Sequence, residues 1–233
     1  MLHHFLQFIS IPCILCGQSQ RLPASICEDC ERDLPWLPKS CPKCAIPWPL
    51  HRLAPCPALN LAFDACSAAF AYQFPVQKLI VSFKDFDQLH LGRALSICLA
   101  RQNLRAVLRP DQITGVPSHP HRLRERGFNP AELIAKDVSK ILKIPCPQRL
   151  VEKVVATPLQ KHQSKAGRLN NSENPFRLRK SVLGQHIGVI DDVVTSMATA
   201  HQMAQVLKSG GAKRVSIWSI ARALPRLGPH SSP

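Results

Sequence analysis

The sequence predicts an α/β fold: a mostly parallel sheet with flanking helices, preceded by a small cysteine-rich unit. Three observations predict it. Strand-like apolar runs alternate with helical spacing from about residue 62 onward. Seven of the ten cysteines fall within residues 13–56, mostly in evenly spaced pairs. One apolar run, Ile187 to Ile190, leads at once into two adjacent acids, Asp191 and Asp192.

The cysteine array comes first. Cys13-x2-Cys16, Cys27-x2-Cys30 and Cys41-x2-Cys44 are each separated by ten residues, and Cys56 follows. In a cytosolic chain such an array reads as metal ligation rather than disulfide. One Cys-x2-Cys knuckle presents two thiolates to an ion, and a second completes the tetrahedron. Cys13, Cys16, Cys27 and Cys30 form a complete set, read as a structural zinc site. Cys41, Cys44 and Cys56 lack a fourth cysteine, because Leu59 stands where a last knuckle would close. His51 is either the fourth ligand or an ordinary surface histidine. Metal would supply folding energy that this Pro- and Cys-rich segment cannot draw from a core. Cys66, Cys98 and Cys146 stand in apolar contexts and read as small buried residues. The composition turns apolar and regular near Leu61. The expected division is therefore 1–61, 62–224 and a short tail, 225–233.

The body then reads element by element. Ala65 to Tyr72 is a strand. Pro75 to Phe83 carries Val76, Leu79, Ile80 and Phe83 at helical spacing, and Leu91 to Leu108 continues as helix. Gln112 to Val116 is a short strand. Ser118 to Phe128 reads as a strongly basic loop containing Arg122, Arg124 and Arg126. Asn129 as N-cap, Pro130 at the first helical position and Glu132 start a helix that runs to about Lys143. Thr157 to Asn171, with Lys161, Lys165 and Arg168, has little apolar content and reads as a mobile flap or a linker. A helix from Ala198 to Lys208 is closed by Gly210 and Gly211, and Arg214 to Ile220 is the last strand.

Charge narrows the partners. The formal net charge is +15, and residues 101–180 hold 17 Lys and Arg against 6 Asp and Glu. That favours a polyanion: nucleic acid, a phosphorylated sugar or an acidic membrane surface. A basic surface that only confers solubility would have the same composition. No apolar run approaches the ~20 residues of a spanning helix. The start, Met1 to Phe5, carries no Lys or Arg. Neither a secretory signal nor an anchor is expected, and the chain is expected in the cytoplasm. No Ser-His-Asp or metalloprotease pattern is present. His119, His121 and His162 could assist proton transfer, with nothing to prefer one.

Asp191 and Asp192 stand at a strand end, where open α/β sheets bind ligands. The loop after them, Thr195-Ser196-Met197-Ala198-Thr199, is rich in hydroxyls and enters a helix N-terminus, which offers unpaired N–H groups to a phosphate. Two carboxylates beside such a loop would repel a phosphate unless they face ribose hydroxyls or a divalent metal. The combination suits a sugar phosphate. An acid pair that merely ends a strand is the plainer alternative.

The full pattern of apolar run, Asp-Asp and hydroxyl loop resembles the phosphoribosyl-diphosphate (PRPP) signature of type I phosphoribosyltransferases. Met197 stands where that signature has glycine. Val116-Pro117…Arg126-Gly127-Phe128-Asn129 is similar to the signature of the ComF family. These proteins join a zinc ribbon, often double, to a phosphoribosyltransferase-type domain. The likeness extends through the cysteine array, Ser82-Phe83-Lys84, Thr157-x2-Gln160-x7-Arg168-x2-Asn171, Asp191 to Thr195, and Val215…Ala221-Arg222. Pro130 stands where the family usually has Gln.

The resemblance implies roles. Asp191 and Asp192 would hold the ribose hydroxyls, with Mg²⁺ bridging diphosphate and sugar. Thr195, Ser196 and Thr199 would take the 5′-phosphate, and Ser118, Arg122 and Arg126 would face the diphosphate. It also implies service in natural competence, on incoming single-stranded DNA beside a helicase-like ATPase. The alternative is a catalytic phosphoribosyltransferase with an unidentified base or nucleoside-like acceptor and no DNA role.

Overall fold

A computed structural model describes residues 10–21, 25–51, 56–86, 88–104, 108–154 and 174–225. The expected flap, Thr157 to Asn171, and His162 within it lie outside the described residues, as do Met1 to Phe5 and nearly all of the expected tail.

The central sheet has four strands: β3 (Ala65–Ala71), β4 (Gln112–Gly115), β7 (His186–Val194) and β8 (Arg214–Arg222). Their order is β3-β8-β7-β4, and every pairing is parallel. The predicted α/β class with a parallel sheet is borne out. Ile187 to Ile190 of β7 and Val215 to Arg222 of β8 are buried, which is why the first reads as a continuous apolar run without alternation.

Helices cover both faces. On one lie α3 (Val76–Asp85), α4 (Leu89–Asn103) and α6 (Pro130–Leu142), packed through Ile80, Phe83, Leu95, Leu99, Ile134 and Val138 onto Ile113, Ile190 and Ile220. On the other, α7 (Ala198–Ser209) places Met203, Ala204 and Leu207 against Ile187, Val189, Val215 and Ile217. A small antiparallel ribbon, β5 (Val151–Lys153) with β6 (Phe176–Leu178), joins that second layer.

The cysteine-rich segment contains the ribbon β1 (Ser10–Pro12) and β2 (Ser19–Arg21), and two short helices, α1 (Glu28–Arg32) and α2 (Trp48–His51). It is docked on the sheet. Residues 35–42 run along the free edge of β3: Leu37 N–H donates to Ala69 O, Ala71 N–H to Pro35 O and Cys66 N–H to Pro42 O, each at 2.8 Å. An open edge strand is a template for unwanted pairing, and this segment covers it. Trp36 stacks at 4.4 Å on the fully buried Phe70, and Arg101 of α4 grips Glu31 of α1 at 2.6 Å.

Two expectations need correction. The segment after Pro117 is not a loop throughout: Pro120–Arg126 forms helix α5. His119 caps it by accepting from His121 N–H, Pro120 occupies the first turn, and Gly127 ends it at φ +78°. Those are strong helix boundary signals at both ends, which the density of arginine obscured. β7 also does not stop at Ile190. It continues through both acids to Val194, because Asp191 pairs with Ser219 and Val193 with Ala221 on β8. Smaller differences concern ends: α4 ends at Asn103, short of Leu108, and α6 at Leu142, with Lys143 as its left-handed cap.

Candidate functional site

Three segments meet at the carboxyl edge of the sheet around a cleft of about 520 Å³. The β7 end supplies Asp191 and Asp192. The turn after β4 and helix α5 supply Ser118, Arg122 and Arg126. The start of α7 supplies Thr199. Thr195, Ser196 and Met197 line a small hollow that adjoins it and shares Asp191 and Thr199. All eight residues expected to bind the sugar phosphate therefore lie at this one edge. The expected roles of each are a separate matter.

The turn after β4 is held by backbone proximity. Gly115 approaches α6 so closely that a Cβ there would meet the Ala131 backbone at 2.6 Å. Asn129 caps α6 by accepting from Ala131 N–H at 3.1 Å, while its amide donates to Val116 O at 2.9 Å. One buried side chain thus ties the helix start to the strand end and aims the Pro117–His119 turn at the acids. Arg126 donates to Asp85 at 3.0 Å, bringing α5 against the end of α3.

The acids differ in environment. Asp192 is paired with Lys84 of α3 at 2.7 Å. Asp191 has no such partner among the described residues. Burial, and then the neighbouring Asp192 charge, push its carboxyl up to about 7, with a smaller opposing pull from Lys84. Asp191 accepts from Asp192 N–H at 2.9 Å and Asp192 from Val193 N–H at 2.6 Å, which fixes both carboxylates. A cation arriving at this pair would favour ionised Asp191.

The loop makes an unusual use of Met197, which adopts φ +66° as the N-cap of α7. The left-handed conformation that would favour glycine is therefore kept. The side chain offsets the strain by burial, only 3% exposed, within the α7 face core.

Two further clusters sit in the cysteine-rich segment. The ligand atoms of Cys13, Cys16, Cys27 and Cys30 lie within 4.8 Å of one another, and so do those of Cys41, Cys44, His51 and Cys56. The sulfurs of Cys16 and Cys27 are 3.7 Å apart, and those of Cys41 and Cys56 are 4.0 Å apart. A tetrahedron with Zn–S bonds of ~2.3 Å has edges of about 3.8 Å. His51 Nε2 is buried with no hydrogen-bond partner among the described residues, as a nitrogen reserved for metal would be. Cys27 N–H donates to Cys13 Sγ and Cys30 N–H to Cys27 Sγ, both at 3.4 Å. Burial works against ionising Cys13, but backbone N–H groups of Cys16, Cys27 and Leu15 outweigh it and bring the thiol down to about 6. Both clusters could hold zinc. Cys66 and Cys98 are buried as expected, and burial pushes both up to about 12, whereas Cys146 is half-buried.

Lys84 and Lys153 also face the cleft and were not foreseen as site residues, and so does His119, one of the three histidines considered for proton transfer. Lys84 lies in the Ser82-Phe83-Lys84 motif, which signals its position but not its partner. Nothing local marks Lys153. Among the described residues no helix is long and apolar enough to cross a membrane.

No protein-family model matches the chain. DNA utilization protein YhgH of Escherichia coli K12 is 31% identical over 217 residues, 91% of this chain and 90% of that protein. The protein of the same name from Salmonella typhimurium is 30% identical over 91% of this chain and 97% of its own length. Competence protein F of Haemophilus influenzae is 26% identical over 94% of this chain and its whole length. Among solved structures, the allosteric regulatory enzyme of purine biosynthesis superposes with a TM-score of 0.42 at 18% identity, covering 55% of this chain and 26% of that one. On the relatives that match it nearly end to end, the chain belongs to the ComF family, the family of competence protein F and DNA utilization protein YhgH.

Proposed function

We propose that the chain binds a PRPP-type sugar phosphate in the carboxyl-edge cleft, and that it serves the uptake or processing of single-stranded DNA in the cytoplasm. The observation that carries the first part is the convergence of two acids, a hydroxyl-rich loop and a Ser-Arg-Arg set on a cleft of about 520 Å³ and the small hollow that adjoins it. Asp191 and Asp192 take the ribose hydroxyls, and Thr195, Ser196 and Thr199 the 5′-phosphate. Ser118, Arg122 and Arg126 take the diphosphate, where the guanidinium fork suits paired oxygens. Mg²⁺ would be held by Asp191 and Asp192 and would neutralise the diphosphate charge. Any transfer reaction here would rest on positioning and charge stabilisation.

The DNA role is supported by relatives named for DNA utilization and competence, and by the basic residues 101–180. In this role a helicase-like ATPase of the competence machinery is the expected partner. A second reading, phosphoribosyl transfer to an unidentified base, is favoured by the cleft volume, which lies in the range that holds small-molecule ligands.

Calorimetric titration of zinc-replete protein with PRPP and Mg²⁺ tests the site. Saturable binding that disappears in Asp191→Asn is expected. Absence of binding to the parent protein would refute the sugar-phosphate reading. For DNA, Arg122→Ala with Arg126→Ala should reduce the salt dependence by ~0.9 log unit per lost duplex contact, less on single strands. An unchanged slope would remove those arginines from any DNA surface.

A further inference from the structure

Arg222 closes the last strand, β8, and is only 4% exposed. Among the described residues its guanidinium meets no carboxylate. It donates instead to four backbone carbonyls: Nε to Cys44 O at 3.0 Å, and Nη1 to Val194 O at 2.9 Å, Thr195 O at 2.6 Å and Ala223 O at 2.7 Å. Cys44 belongs to the second metal-ligand cluster, while Val194 ends β7 and Thr195 begins the hydroxyl-rich loop. One buried side chain therefore joins a metal knuckle to the anion loop.

The consequence for the loop follows from peptide geometry. In a planar trans peptide the C=O and the following N–H point in opposite directions. Holding Thr195 O on Arg222 turns Ser196 N–H away from the guanidinium, in the loop whose Thr195, Ser196 and Thr199 line the small hollow. Charge adds a second link. Three thiolates and one neutral histidine around Zn²⁺ carry a net charge of −1, the complement of a buried guanidinium without a carboxylate.

We infer that Arg222 is a positioning residue that couples metal occupancy at Cys41, Cys44, His51 and Cys56 to the conformation, and hence the anion affinity, of the Thr195–Thr199 loop. The affinity part rests on the sugar-phosphate reading; the conformational part does not. The zinc knuckles are then more than an appended folding aid. Loss of the second ion loosens the Cys44 carbonyl, releases the Arg222 fan and unlocks the phosphate loop on the other side of the guanidinium.

The full chain tests this in three forms: parent, His51→Ala and Arg222→Lys, with Cys16→Ser as a control at the other cluster. Zinc content is measured for each, then amide exchange over residues 41–46 and 194–199 without ligand, then affinity for ribose 5-phosphate by calorimetry. His51→Ala should lose one zinc and its protection at 194–199, and bind about tenfold or more weakly, the loss of about one charge-assisted hydrogen bond. Arg222→Lys keeps the charge but not the fan, and should lose protection in both segments. Cys16→Ser should lose the other zinc and leave 194–199 unchanged. Unchanged protection at 194–199 in His51→Ala, with one zinc gone, would overturn the coupling. If His51→Ala does not fold, loss of protection in only one segment of Arg222→Lys overturns it equally. Loosening with no ribose 5-phosphate binding by the parent protein would instead refute the sugar-phosphate reading and leave the link standing.

Discussion

Replacing Asp191 with asparagine should make the protein more stable above neutral pH while removing its proposed ligand. Asp191 rises from an ordinary 3.8 to about 7, first through burial and then through the adjacent Asp192. The native state therefore retains a proton between these limits that the unfolded chain has released. The Asp191 contribution to stability falls as pH climbs from about 4 to about 7, and the cost is fully developed above 7. A rise of about three units sets a ceiling of about 4 kcal/mol. The residue lines an open cleft, so solvent screens part of this, and we expect about 2 kcal/mol. Asparagine fills the same space without the charge. Urea unfolding of zinc-replete protein from pH 4 to 8 reads the effect as a difference: Asp191→Asn gains on the parent as pH rises and overtakes it near pH 8. Equal pH slopes, or a variant less stable than the parent at pH 8, would refute the argument. An acid that destabilises its own fold at the lining of a cleft is the pattern of a binding residue.

The partner of the other acid gives the converse. Lys84→Met leaves Asp192 without its cation, and should cost about 2 kcal/mol in urea unfolding at pH 8; an unchanged midpoint would mean that the 2.7 Å pair is idle. Met197→Gly relieves a left-handed residue, worth roughly 1–2 kcal/mol, but deletes a buried side chain worth roughly 2–5 kcal/mol. The variant should be less stable with its phosphate affinity retained, and a more stable variant would show that the methionine contributes little to the core. Metal analysis of the purified chain should give two zinc ions, falling to one in Cys56→Ser; one ion in the parent would empty the second cluster.

Most of the residues proposed for metal and anion binding are legible in the sequence because their signals are local. Cys-x2-Cys spacing is a local property, since two thiolates on one tight turn reach one ion wherever that turn sits. The Asp-Asp strand end and the Asn129-Pro130 helix start are local too. Even His51, left open between ligand and surface residue, was limited to those two choices by its place between Cys44 and Cys56. Helix α5 reads as loop by charge density, with Arg122, Arg124 and Arg126 crowded together, although His119, Pro120 and Gly127 signal both its ends. Acids are poor strand formers, so the sequence places the end of β7 before Asp191, and only pairing with Ser219 and Ala221 on β8 keeps the chain extended through them.

Local chemistry, then, was determined by the sequence alone: which residues can bind metal, which loop can receive an anion, and which strands are buried on both faces. Assembly was decided only by the tertiary structure. Lys84 is 108 positions from Asp192, and Arg222 is 178 from Cys44, yet both pairs are in contact. No periodicity or spacing encodes such meetings. They follow from the β3-β8-β7-β4 strand order and from the cysteine-rich segment closing the free edge of β3. These long-range choices bury apolar faces on both sides of one sheet, and the polar contacts at its carboxyl edge are fixed by that packing.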